Sequence, residues 1–269
     1  MTESQPRTAL VTGTSSGLGR GVAERLVALG WEVLGTVRGE GTGLPFETVR
    51  CDVTDDAAVA RLGEQVLERW GRLDALVNNA GWALTGPVEE LEPAELRAQL
   101  DVNLVAPLAV VRACLPALRA AQGVIVQVSS VAGYSGSDGL WAPYGSSKFG
   151  LEGASEALAA ELVEQGVRVV VVEPGAFKTE IASKSPQVAA KGSTGLYNEL
   201  WHELDKWLTW HAATSTDASA CVDAIVGAAT RPDAPFRLPV GEGIADELRR
   251  KGEEMIAQAK AAEQFLASL

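Results

Sequence analysis

Short, wholly apolar runs alternate along this chain with longer stretches whose apolar positions recur every three or four residues. Thr8-Ala9-Leu10-Val11 reads as a short buried strand with glycines directly after it. Residues 21–29 have helical periodicity, closed by Gly30. The pattern then predicts strands over residues 32–37 and 47–53, a helix over 55–70, and a fourth strand over 73–77. A long helix follows over 95–120, with Pro93 near its start and Pro116 near its end. Residues 123–128 predict a fifth strand, 144–165 a helix, and 167–173 a sixth strand that is nearly all valine. Residues 236–240 read as a seventh strand and 243–269 as a polar, alanine-rich terminal helix.

Strands that are apolar throughout, alternating with helices, imply a parallel sheet covered on both faces. The expected fold is therefore α/β: one domain over residues 1–269, with a doubly wound parallel sheet. Residues 181–215 interrupt the alternation and read as an inserted helical lid over the substrate. No repeat, low-complexity segment or linker divides the chain.

Composition narrows the function. The 269 residues suit one large α/β domain, and 46% hydrophobic with 22% charged residues is ordinary for a globular protein. A net charge of −12 without a basic cluster argues against a nucleic-acid partner. Cys51, Cys114 and Cys221 are far apart and show neither metal spacing nor a disulfide framework. With only His202 and His211, a histidine metal site or a Ser-His-Asp triad has little to draw on, so no metal is expected. The first seven residues lack an apolar signal core, and no apolar run reaches about 18 residues, so the expectation is a cytoplasmic protein without a membrane span.

Two patterns carry chemistry. The first strand ends in Thr12-Gly13-Thr14-Ser15-Ser16-Gly17-Leu18-Gly19 and then a helix. Glycines there permit a tight turn and close backbone approach, and a helix N-terminus offers N–H groups and a positive dipole end to a pyrophosphate. No G-K-[ST] follows, so this is not an ATP-type phosphate loop. Further on, Tyr144 and Lys148 stand four apart, on one helical face. A nearby ammonium favours the phenolate and lowers a tyrosine pKa, which makes a proton donor and acceptor usable near neutrality.

Thr12-Gly13-x-x-x-Gly17-x-Gly19, Asn78-Asn79-Ala80-Gly81, Asn103, Ser129-Ser130, Tyr144-x-x-x-Lys148 and Pro174-Gly175, in this order, resemble the short-chain dehydrogenases/reductases of the classical type. Toward its C-terminal end the chain is similar to hydroxysteroid and retinol dehydrogenase-like members. The resemblance implies a Rossmann-type sheet of seven or so strands, a nicotinamide cofactor, and hydride transfer between that cofactor and a carbonyl carbon. Gly13, Ser15, Ser16, Gly17, Leu18 and Gly19 would line the pyrophosphate, and Asp52 beside Val53 would meet the adenine. Asn79, Ala80 and Gly81 would shape the floor beneath the adenine ribose. Pro174 and Gly175 would flank the nicotinamide, and Thr179 would contact its carboxamide or a phosphate. Tyr144 would be the general acid/base, Lys148 its charge partner and a ribose ligand, Ser130 the donor to the substrate oxygen, and Asn103 the residue that places a relay water. The helices over 95–120 and 144–165 correspond to those that pair subunits, which implies a homodimer or homotetramer.

Arg38 directly follows the second strand where an acidic residue would select NAD, so NADP(H) is the expected cofactor, with NAD(H) the alternative. The spacing from Ser130 to Tyr144 is one residue longer than the family's common spacing, which points to an altered pocket wall. Trp82, Tyr134, Trp141 and Trp201 are the expected substrate-pocket residues, and Leu200, Trp201, Leu204, Trp207 and Leu208 form one apolar helical stripe. The expected partner is a bulky apolar alcohol or ketone. The rival reading is a non-catalytic NAD(P)-sensing regulatory protein of the same fold.

Overall fold

The computed structural model describes residues 5–39, 43–136, 139–175, 177, 195–214 and 217–269. Strands β1 (Thr8–Val11), β2 (Glu32–Val37), β3 (Glu47–Arg50), β4 (Ala75–Asn78), β5 (Val124–Val128), β6 (Arg168–Pro174) and β7 (Arg237–Val240) form one sheet in the order β3-β2-β1-β4-β5-β6-β7. Every pairing is parallel, and the register sets Leu10 beside Leu34 on one side and Leu76 on the other.

Among the described residues the α-helices are α1 (Gly17–Ala28), α2 (Asp56–Trp70), α3 (Pro93–Leu100), α4 (Ala106–Ala121), α5 (Ala142–Leu162), α6 (Asn198–Thr214), α7 (Ser219–Thr230) and α8 (Ile244–Ala267). Successive strand residues point to opposite faces, so each strand feeds two cores. On one face α1 and α7 bury Val22, Leu26, Cys221 and Ile225 against Val11, Val77 and Val126. On the other, α2, α4 and α5 bury Leu62, Val110, Leu118 and Leu162 against Leu10, Leu76 and Ile125. The sheet is therefore doubly wound, as its unbroken apolar strands require.

Some boundaries differ from the sequence pattern for local reasons. β3 stops at Arg50 because the chain turns at once, with the Asp52 carboxylate accepting from the Thr54 N–H at 3.0 Å and hydroxyl at 2.7 Å. α1 takes in Gly17 and Gly19 of the turn. It closes where Gly30, at φ +81°, lets the Trp31 N–H reach back to the Leu26 carbonyl at 3.1 Å. The long helix is not one α-helix: α3 and α4 are joined by a π-helical turn, Asp101–Val105. The sequence shows no continuous apolar run of about 18 residues, yet the 29-residue helical segment Pro93–Ala121 contains a stretch whose length and mean hydropathy would suffice to cross a membrane. Its α4 part spends Val110, Val111, Cys114 and Leu118 on the core of the sheet. Of the expected lid, α6 is described, while residues 181–194 and 215 lie outside the described residues.

Candidate active site

At the C-terminal ends of β1 and β4 the strand order reverses, and a crevice of about 1100 Å³ opens there. The glycine turn forms one end of it. Gly13 and Gly17 take left-handed conformations, with φ of +72° and +59°. A Cβ on Gly13 would stand 2.9 Å from the Ala80 Cα, and one on Gly19 would stand 2.3 Å from Asn79 Nδ2. That close approach is held by hydrogen bonds. The Asn79 and Ala80 N–H groups both donate to Thr12 Oγ1 at 3.0 Å, and Asn79 Nδ2 donates to the carbonyls of Thr12 and Gly13 at 2.9 and 3.2 Å. The end of β4 thus fixes the turn after β1.

Helix α1 starts at this turn without a side-chain cap and without an acidic residue in its first turn. Its first N–H groups and positive dipole end face a cleft lined by Ser15, Ser16, Gly17 and Leu18. Such a cradle fits the pyrophosphate of a dinucleotide. Arg38, Asp52 and Val53 line the same end of the cleft. The hydrogen bonds from Thr54 hold the Asp52 carboxyl below the ordinary value, and the nearby Arg38 charge pushes the same way.

The chemistry-bearing residues meet where β5 and α5 face each other. Tyr144 lies in the first turn of α5 and Lys148 in the second, and both are buried and line the cleft. Lys148 Nζ donates to the Val128 carbonyl at 2.8 Å and lies 5.8 Å from the centre of the Tyr144 ring. Ser130, just after β5, accepts from the Ala132 N–H at 3.2 Å and lines the cleft with Tyr144. Burial pushes the Tyr144 phenol above its ordinary value, and the neighbouring Ser130 opposes that rise. Burial also lowers the Lys148 pKa to about 8, against the opposing pull of Glu152. The expected depression of the tyrosine pKa by the lysine is therefore corrected. The ammonium spends its bond on Val128, and desolvation dominates both groups.

Asn103 sits on the π-helical turn, buried behind the crevice. Its Oδ1 accepts from the Trp82 N–H at 3.2 Å, and its Nδ2 donates to the Trp82 carbonyl at 2.9 Å and to Ser147 Oγ at 3.1 Å. It ties the segment after β4 to α5 beside Tyr144. Single π turns inside α-helices recur at functional sites. Gln99, one turn earlier, was not singled out from the sequence, yet it accepts from the Leu84 N–H at 2.6 Å and donates to the Trp82 carbonyl at 3.0 Å. Its four-residue offset from Asn103 was the available signal.

The other end of the crevice is aromatic. Trp82, Leu140, Trp141, Phe149, Trp207 and Leu208 line it. Leu140 has φ +69°, a conformation non-glycine residues rarely adopt, and its carbonyl accepts from the Gly86 N–H at 2.8 Å. Two expected pocket residues lie elsewhere. Tyr134 is buried beside the site, and its hydroxyl donates to the Ile244 carbonyl at 3.4 Å, tying the loop to α8. Trp201 precedes Leu208 by two helical turns, about 10 Å, and the cleft lies under the later part of α6. Pro174 and Gly175 line the cleft, and a Cβ on Gly175 would stand 2.5 Å from Ile244 Cδ1. Thr179 lies outside the described residues.

A doubly wound parallel sheet with this glycine turn and this serine, tyrosine and lysine grouping defines an oxidoreductase of the Rossmann type. The chain belongs to the short-chain dehydrogenase family, whose pattern it matches over residues 7–189. It is 38% identical over 215 residues to the NADPH-dependent 3-dehydrocapnine reductase of Ornithobacterium rhinotracheale, covering 74% of this chain and 76% of that one. It is 31% identical over 239 residues to the 3-ketodihydrosphingosine reductase of Bacteroides thetaiotaomicron, covering 88% of each. The crystal structure of a short-chain dehydrogenase from Streptomyces avermitilis superposes with a TM-score of 0.85 at 32% identity, over 98% of each chain.

Proposed function

We propose that this chain is an NADP(H)-dependent enzyme that interconverts an alcohol and its carbonyl compound, with a bulky apolar substrate. The carrying observation is the convergence of Ser130, Tyr144 and Lys148 in one crevice whose far end is an uncapped helix N-terminus with Arg38 beside it.

Gly13, Gly17 and the first N–H groups of α1 would hold the pyrophosphate, and Arg38 would meet a 2′-phosphate with its fork of donors. The bound nicotinamide supplies or accepts the hydride. In reduction, Tyr144 gives its phenolic proton to the carbonyl oxygen; in oxidation it takes the proton back. Ser130 donates a hydrogen bond to that oxygen as negative charge develops on it. Burial disfavours the phenolate that remains, and Ser130 and the N-terminal dipole of α5 oppose part of that cost. Asn103 keeps the Trp82 segment fixed against α5, and as in the family it would also order a relay water.

Two relatives whose names carry a reduction, one NADPH-dependent and one of a 3-keto compound, support the direction and the cofactor. The tryptophan-lined end of the crevice supports an apolar substrate, with α6 as its lid. The test is a panel of ketones and aldehydes of increasing apolar size, with NADPH and NADH, followed by nicotinamide absorbance. Faster turnover with NADPH and with the larger apolar members is the expected result. Equal rates with both cofactors would count against the preference.

A further inference from the structure

Behind Lys148, outside the lining of the crevice, charged side chains from three elements meet, two of them buried. Glu152 lies one turn after Lys148 on α5 and is 4% exposed, while Glu173 on β6, directly before Pro174, is 0% exposed. Arg237 of β7 pairs with both: its Nη1 donates to Glu152 Oε2 and, at 2.8 Å, to Glu173 Oε1. Its Nη2 reaches the solvent-exposed Glu156 at 2.6 Å. Glu152 Oε1 and Glu173 Oε2 have no hydrogen-bond partner among the described residues. The turn that carries Ser130 closes over the group, since a Cβ on Gly133 would stand 2.8 Å from Glu152 Cγ and from Ser129 Oγ.

One guanidinium cannot neutralise two buried carboxylates, and an uncompensated buried charge is costly. The Lys148 ammonium adds a second cation: buried Lys148 and the partly exposed Arg237 stand with the buried Glu152 and Glu173. The other titratable groups facing the cluster are Tyr144 and Glu156 on α5, Tyr134 on the loop after Ser130, and Glu247 on α8. We propose that Glu152, held by Arg237, is a positioning residue that supplies the counter-charge keeping Lys148 protonated behind Tyr144. The direction at the lysine agrees with it: burial lowers Lys148 to about 8 while Glu152 raises it. The consequence for turnover rests on the function proposed above; the charge pairing itself does not.

The direct test is an NMR titration of carbon-labelled lysine, with Lys148 assigned by its loss in Lys148→Met. Glu152→Gln is expected to lower the Lys148 midpoint by about one pH unit or more, and Glu152→Asp to restore most of it. Arg237→Gln, which removes the competing cation, is expected to raise the midpoint, and it decides the matter should Glu152→Gln not fold. The alkaline limb of kcat/KM for carbonyl reduction should move with the midpoint. An unchanged midpoint in folded Glu152→Gln, or a fall in Arg237→Gln, overturns the pairing. A midpoint that moves without the alkaline limb overturns the role in the reaction. Wild-type protein without carbonyl reduction overturns the functional reading alone, because the titration needs no turnover.

Discussion

Trp141 meets the Tyr144 ring edge-on, with centroids 5.8 Å apart and planes at 65°, and on its other side it meets Trp207 of α6 at 5.6 Å and 76°. The tryptophan is thus a hinge between the tyrosine proposed as acid/base and the helix proposed as lid. Edge-to-face pairs contribute about 0.5–1.5 kcal/mol beyond their buried area. Gly139 sits just before it with Leu200 of α6 3.1 Å from where its Cβ would be. The loop before α5 and the start of α6 are therefore packed as one wall.

Replacing Trp141 with Ala should raise KM for the larger apolar substrates by about tenfold, the value of one such aromatic contact. Small carbonyl compounds, which do not reach the wall, should change little. Steady-state kinetics across a size series measures it, and a uniform loss at every size would argue that Trp141 only supports the fold.

Arg38 lines the cleft near Asp52, whose carboxyl feels its charge. Arg38→Asp should raise KM for NADPH about 10- to 100-fold, the loss of a charge-assisted contact of about 1.5–3 kcal/mol, while KM for NADH falls or holds. Unchanged preference in this variant would remove Arg38 from the cofactor site.

Gly19→Ala places a Cβ 2.3 Å from Asn79 Nδ2 and 2.4 Å from the Gly13 carbonyl. Neither neighbour is free to yield, because Asn79 Nδ2 already holds the Thr12 and Gly13 carbonyls. A stability loss of about 1–3 kcal/mol is expected from the overpacking, with weaker dinucleotide binding. Denaturant unfolding and calorimetry report the two effects separately.

How much of this was legible in the sequence depends on the range of the interaction. The sheet was legible because β1, β5 and β6 are apolar on both faces and only a covered parallel sheet accepts that. The glycine turn and the Tyr144–Lys148 face were legible because their geometry is local, set within one turn of backbone. The π-helical turn at Asn103 was not, because apolar periodicity runs through residues 101–105 without a break. Nor was the direction of Tyr134, which is set by its contact with Ile244, 110 residues away. Arg237 reaches Glu152 and Glu173 across 85 and 64 residues, and no spacing rule records such a pairing. Boundaries such as the end of β3 depended on one Asx-type turn at Asp52.

The buried lysine has a stability signature as well. Its pKa is lowered in the folded protein to about 8 from 10.5, so the unfolded chain binds the extra proton between those values. Below about 8 both states are protonated, and the folded one carries the whole cost of a buried ammonium. As pH rises from 8 toward 10.5 that cost is relieved. Relative to Lys148→Met, the wild type should therefore gain stability across this window, by a few kcal/mol in all. Urea unfolding of both proteins at several pH values checks it. A difference that stays flat with pH would mean that the lysine is not desolvated as described.

The most direct measurement compares wild type with Tyr144→Phe, which removes one hydroxyl from a buried ring whose packing against Trp141 it leaves in place. NADPH binding by calorimetry and NADPH consumption with the best carbonyl substrate are read on the same preparations. The account predicts that binding is retained while kcat/KM falls by about 10²–10⁴, the contribution of a positioned general acid. Turnover at a comparable rate in Tyr144→Phe would contradict it.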